Sequence, residues 1–220
     1  GSFLAEMNKR AYKEHPYRWT TIGKMEHLDA ATLEEFTTFY HKFYVPENAI
    51  LSIAGDIDVE NTKQMIEAYF GPIPNGKEKI QPINIVEPPL GGEIRDTIYD
   101  NIQLPGVMMA YRIPKQGTED FYAIEMMSKI LSDGESSRLN IKCVEETESA
   151  MYVGSFPFAS EDPGLSFVFG IANSDVNPSD LEKEINGEFS RMKSELISDI
   201  EFQKIRNMME NDFIYNFSSM

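Results

Sequence analysis

Apolar residues recur at helical spacing through much of this chain and crowd into a few short strand-like runs. Leu33, Phe36, Tyr40 and Phe43 fall three or four apart and predict a helix over 31–44. Thr32 and Glu35 are spaced as a capping box at its start. An earlier helix is expected over 3–14, stopping before Pro16. Ile50-Leu51-Ser52-Ile53-Ala54-Gly55 is a short β-branched run between Asn48 and Asp56, and it reads as a buried strand. Asp58 is a cap for the next helix, which runs to about Phe70 and ends at Gly71.

Between Gly71 and Gly92 the pattern lapses. Five prolines and four glycines fall there, as in a linker or an extended crossover. Two strands are then expected, Glu93 to Asn101 and Val107 to Ile113, joined by a turn at Pro105-Gly106. Helices follow over 118–132 and about 136–147. Met151 to Phe158 and Leu165 to Ala172 read as a strand pair around the turn Glu161-Asp162-Pro163-Gly164. Asn177-Pro178 caps a helix to about 196. Ser198 and Glu201 open a last helix that meets no stop signal before Met220. A strand, a cap and a helix thus occur twice, after Leu51 and after Leu165, a faint internal echo. The expected division is 1–75, a linker at 76–92, and a second domain at 93–220.

Composition narrows the partners. With 220 residues and 41% apolar content, the chain can build real cores. Its net charge of -16 repels phosphate backbones, which argues against nucleic acid. No apolar run approaches the length of a membrane span. The lone cysteine, Cys143, excludes an internal disulfide and a thiolate metal cluster, and it reads as a small core residue. A soluble protein of cytoplasm or periplasm is expected. Gly1-Ser2 reads as a cloning scar.

The candidate chemistry is sparse. Two zinc-binding histidines on one helical face need a separation of three or four residues. His15, His27 and His41 lie 12 and 14 apart. Glu14-His15 and Glu26-His27 lack the histidine four positions earlier that an inverted H-x-x-E-H motif requires; Ala11 and Gly23 stand there. Neither a nucleophile elbow nor a phosphate-binding glycine loop occurs. Glu145, Glu146 and Glu148 read as a solvated helix face. The paired methionines Met108-Met109, Met126-Met127 and Met208-Met209 read as core filling rather than as an adaptable binding surface. Tyr17 and Trp19 form either a binding lip or a packed loop.

The order of features carries a resemblance. His15-Pro16-Tyr17 through Ile22-Gly23, the helix with Leu33 and Phe36, Phe43-Tyr44-Val45-Pro46-Glu47-Asn48-Ala49, and Tyr69-Phe70-Gly71-Pro72-Ile73-Pro74 follow one another as in the insulinase/pitrilysin family of zinc metallopeptidases. The branch is that of mitochondrial processing peptidase. Ser136-Ser137-Arg138-Leu139, Glu145-Glu146 and Ala150 resemble the matching part of the family's second domain.

The resemblance implies an α+β fold of two related domains, each a mainly antiparallel sheet covered by helices, with the first domain truncated at its N-terminus. It implies a fragment of a zinc-dependent endopeptidase that hydrolyses peptides in a chamber between two halves. The zinc ligands and the catalytic glutamate of the intact parent would precede residue 3, so no catalytic or metal role passes to a residue here, and the fragment itself is expected to hold no zinc and to be inactive. Peptide substrates and a second family subunit or homologous half are the implied partners. In that family the partner half supplies an arginine and a tyrosine, seven residues apart, to the scissile carbonyl. The slots here are Val144 and Met151; Tyr152 takes the substrate-binding role if the register slips by one. The alternative is a non-catalytic family member serving as a scaffold or peptide-binding subunit.

Overall fold

A computed structural model describes residues 2–76 and 79–218. The chain divides into two compact units, Gly1–Gly92 and Glu93–Met220. The α+β class holds, and among the described residues the sheet lies wholly in the second unit.

The first unit is helical. Its helices are α1 (Ser2–Ala11), α2 (Met25–Ala30), α3 (Leu33–Phe43) and α4 (Val59–Phe70). Thr32 caps α3 with both bonds of the capping box, and Asp58 Oδ1 accepts from the Asn61 amide at 2.7 Å to start α4. Helix α1 ends at Ala11, short of the expected residue 14, because the chain turns there into a nest of amides. Lys13, Glu14 and His15 all donate their backbone N–H to the Glu87 carboxylate, at 2.7, 2.9 and 2.7 Å. Three consecutive amides aimed at one carboxylate cannot also continue a helix. Tyr12, His15 and Tyr17 pack their rings around this corner.

Residues 50–55 do not form the expected strand. They carry no regular secondary structure and pair with no strand among the described residues, and Ile50 is 98% exposed. A β-branched run fits a half-buried pleated surface, but it becomes a strand only when another backbone pairs with it. Among the described residues none does. The apolar stripe of α3, Leu33, Phe36, Phe39 and Tyr40, is likewise exposed.

The second unit holds the core. Strands β1 (Gly106–Arg112), β2 (Ala150–Pro157) and β3 (Leu165–Ala172) form an antiparallel sheet in the order β1-β3-β2. Helices α5 (Glu119–Ser132) and α6 (Pro178–Ser194) and a π-helix over Asn140–Glu146 cover one face. Helix α7 (Asp199–Ser218) packs on α5. Leu131, Leu139, Cys143, Val153, Val168, Leu181 and Ile185 interlock between helices and sheet. Each such side chain contributes roughly 1.5–3 kcal/mol by leaving water. Gly170 lets α6 approach the sheet: a Cβ there would meet Leu181 Cδ2 at 2.9 Å.

Two further expectations change. Residues 93–101 are not a strand. They are largely exposed, tethered to α6 by Arg95 Nη2, which lies 2.6 Å from Glu182 Oε1, and they pair with no strand among the described residues. The strand–helix echo therefore has a strand only in its second copy. The helix over 136–147 is mostly π-helix, closed by Thr147 N–H donating to the Lys142 carbonyl five residues back.

The Ser136-Ser137-Arg138-Leu139 stretch proves to be a docking point for α7. Leu139 and Ser137 are buried, and Lys204 Nζ donates to Ser136 Oγ at 2.9 Å. Arg138 grips Glu201 with two parallel bonds, 2.8 and 2.7 Å. Glu201 is therefore only half of a capping box. Its amide donates to Ser198 Oγ at 3.2 Å, but its carboxylate goes to Arg138 rather than back to the cap.

Candidate functional site: an outward tyrosine at a strand bulge

Side chains of a regular strand alternate between faces. Strand β2 breaks that rule at its start. Ala150 pairs with Ala172 and Tyr152 with Ile171, so three residues of β2 stand against two of β3. This is a β-bulge, with Met151 as the extra residue. Burial follows the bulge: Ala150 is 1% exposed, Met151 55%, Tyr152 53% and Val153 4%. Without the extra residue, Tyr152 would point with Ala150 into the core. With it, Met151 and Tyr152 both leave the core side.

The Tyr152 ring lies 5.6 Å from that of Phe169, and Phe156 packs against Phe167 at 5.5 Å. Gly154 makes room for this cluster, since a Cβ there would sit 2.6 Å from Phe169 Cε1. The result is an apolar, ring-lined sheet surface with an amphipathic tyrosine at its rim. Among the described residues the Tyr152 hydroxyl makes no hydrogen bond. It keeps one donor and its acceptor lone pairs for a ligand.

The bulge is fixed from behind. Glu184 of α6 accepts from Thr147 Oγ1 at 2.8 Å and Ser149 Oγ at 2.6 Å, both on the same oxygen. Asn173 donates its side-chain amide to the Glu148 carbonyl at 2.6 Å and its backbone N–H to the Ser149 carbonyl at 3.1 Å. Glu148 itself has φ 49° in the left-handed region, uncommon for a side chain of its kind.

Val144, where the resemblance leads one to look for an arginine, is half-buried against the core and offers no charge. Cys143 is fully buried beside it. Burial, reinforced by Glu184, pushes its thiol up to about 12, so it stays protonated and is no nucleophile at neutral pH. Glu145, Glu146 and Glu148 are exposed, as a solvated face should be. Tyr17 packs in its aromatic corner, whereas Trp19 stays exposed with the Arg18 guanidinium 5.5 Å over its ring.

The histidines do not converge. His15 is buried, and its Nδ1 accepts from the Tyr17 amide at 3.2 Å, capping a short turn. His27 and His41 are exposed on α2 and α3. Among the described residues, no group of three or more histidine, cysteine or carboxylate side chains could hold a metal ion. The described residues therefore do not fit a zinc centre. No helix of the described residues is long and apolar enough to cross a membrane.

Residues 30–209 match the family description "Peptidase M16 inactive domain". The match covers most of the chain, and the chain belongs to this family, the insulinase/pitrilysin metallopeptidases that its sequence resembles. Among individual relatives, zinc protease PqqE of Helicobacter pylori is 28% identical over 211 residues, covering 95% of this chain and 48% of that protein. The crystal structure of a protease from Helicobacter pylori has the same fold, with a TM-score of 0.91 at 28% identity over 100% of this chain and 53% of that one. The probable mitochondrial-processing peptidase subunit beta of Schizosaccharomyces pombe is 26% identical over 175 residues, or 72% of this chain and 37% of that protein. The chain spans about half the length of the first of these relatives. What membership establishes is a non-catalytic domain region of zinc-protease-like proteins.

Proposed function

We propose that this chain is the supporting part of a zinc-dependent endopeptidase, and that it contributes a peptide-contacting wall rather than the reacting centre. Residues 1–75 are then the end of the zinc-bearing domain, 76–92 the linker and 93–220 the second domain. Tyr152 contacts the carbonyl of a peptide held between this half and a second subunit or homologous half. The observation that supports this reading is the bulge at Met151, which turns Tyr152 outward by the one-residue slip that the family's spacing calls for. Zinc belongs to the intact parent, where it would activate the attacking water. No step of that chemistry is assigned to a residue of this chain.

A second reading is favoured by one residue. Val144 stands where an active partner half would carry arginine. A parent without its own zinc motif would then be a scaffold or peptide-binding subunit.

The test is peptide hydrolysis by the full-length parent, with and without its partner subunit. Activity that a chelator abolishes and added zinc restores, together with no activity from residues 1–220 alone, is the expected result. Hydrolysis by this chain alone overturns the reading. A parent that binds peptides but cleaves none at any zinc level selects the scaffold.

A further inference from the structure

We infer that Glu184 is a positioning residue for Tyr152, acting through the corner at residues 147–149. The inference rests on the reading of Tyr152 as a peptide contact. Tyr152 is aimed by the bulge, and a bulge is a local choice that a strand can relax by slipping one residue. Slippage here would drive a tyrosine toward Val153 and Leu131 in the core and withdraw its hydroxyl from the rim. Something must hold the corner just before the bulge.

That corner is held at two carbonyls and two hydroxyls. Asn173 secures the Glu148 and Ser149 carbonyls, at 2.6 and 3.1 Å. Glu184 secures the Thr147 and Ser149 hydroxyls, at 2.8 and 2.6 Å. Each hydroxyl has one proton to give. Thr147 Oγ1 also lies 2.9 Å from the Lys142 carbonyl, and Ser149 Oγ lies 3.3 Å from the Cys143 carbonyl. Both hydroxyls lie closer to Glu184 than to these carbonyls, so its oxygen is the better-placed acceptor for both protons. With Glu184 present, the corner is therefore tied to α6. Without it, both hydroxyls fall back onto the π-helix, and the tie to α6 is lost. Glu148 sits at φ 49°, a conformation that persists only when its surroundings over-determine it. Glu184 is the one member of this set that reaches the corner from another helix by its side chain alone. It touches neither Tyr152 nor the ring cluster, so its effect on a ligand is indirect.

Both accepted protons go to a single oxygen of Glu184. A glutamine offers that oxygen without the charge, which separates positioning from electrostatics. The test compares wild type, Glu184→Gln, Glu184→Ala and Tyr152→Ala in the full-length parent. Two readouts are taken: hydrogen exchange of the amides of residues 150–153, and affinity for a fluorescein-labelled random-sequence peptide pool by anisotropy. Glu184→Ala should speed exchange at 150–153 by about 10-fold or more, as a local opening does. It should also weaken peptide binding about 5-fold, typical of a residue that acts without touching the ligand. Glu184→Gln should match wild type in both. Tyr152→Ala should weaken binding by about 10-fold while Glu184 and its corner stay protected. Unchanged exchange in Glu184→Ala overturns the inference and leaves the Tyr152 reading standing. Full affinity in Tyr152→Ala overturns that reading, and the positioning role falls with it. Failure of Glu184→Gln to match wild type overturns the hydrogen-bond account in favour of charge.

Discussion

Helix α3 in the first unit and helix α6 in the second carry comparable apolar stripes, yet they meet opposite fates. Leu181 and Ile185 of α6 are fully buried against the sheet. Leu33, Phe36 and Tyr40 of α3 are exposed. Both helices start with caps that the sequence announces, Asn177 and Thr32. The difference lies in what stands opposite. Residues 93–220 bring three paired strands to their helices, and residues 1–92 pair no strand among those described. Periodicity specifies which face of an element seeks cover; it does not supply the cover.

Substitutions can break this contrast. Leu131→Ala removes a fully buried core side chain of the second unit and should cost about 2–5 kcal/mol, read as a lower urea midpoint. Phe36→Ala removes a larger apolar side chain from an exposed face and should change stability, read the same way, by less than about 0.5 kcal/mol. Equal losses would show that α3 is covered in solution.

A smaller effect sharpens the picture of how α7 is held. Arg138→Met leaves Glu201 without its partner and should cost about 2 kcal/mol at neutral pH. Hydrogen bonds from Arg138 hold the Glu201 carboxyl below the usual glutamate range. A depressed carboxyl stabilises the fold above its unfolded pKa, and that contribution is lost as pH falls through the folded value. Urea midpoints measured from neutral to acid pH should therefore converge for wild type and Arg138→Met at the acid end. A gap that persists there assigns the loss to packing of the arginine stem instead.

Legibility in the sequence tracked locality. Caps at Thr32, Asp58 and Asn177 were readable because each is settled within a few residues. The β2–β3 pair was readable for the same reason, through its Asp162-Pro163-Gly164 turn. The runs at 50–55 and 93–101 have strand composition but no strand, because pairing depends on residues far away or elsewhere. The Glu87 nest that shortens α1 joins positions more than seventy residues apart, and no local pattern announces it. The candidate site was half legible. Family spacing points to Met151, and Tyr152 stands one residue beyond that slot. The bulge at this point shows in sequence only as Met151-Tyr152, two large side chains between core-facing Ala150 and Val153. Glu184 carries no local signal, because its two hydroxyl partners lie more than thirty residues away in the chain.

The most direct test of the contrast between the two units is residue-resolved hydrogen exchange on the 220-residue chain. Amides of β3 should exchange only on global opening, while those of residues 50–54 should exchange near the rates of an unstructured peptide. Protection at 50–54 equal to that of β3 would contradict the account, because it would mean that the first unit builds a paired, buried core of its own.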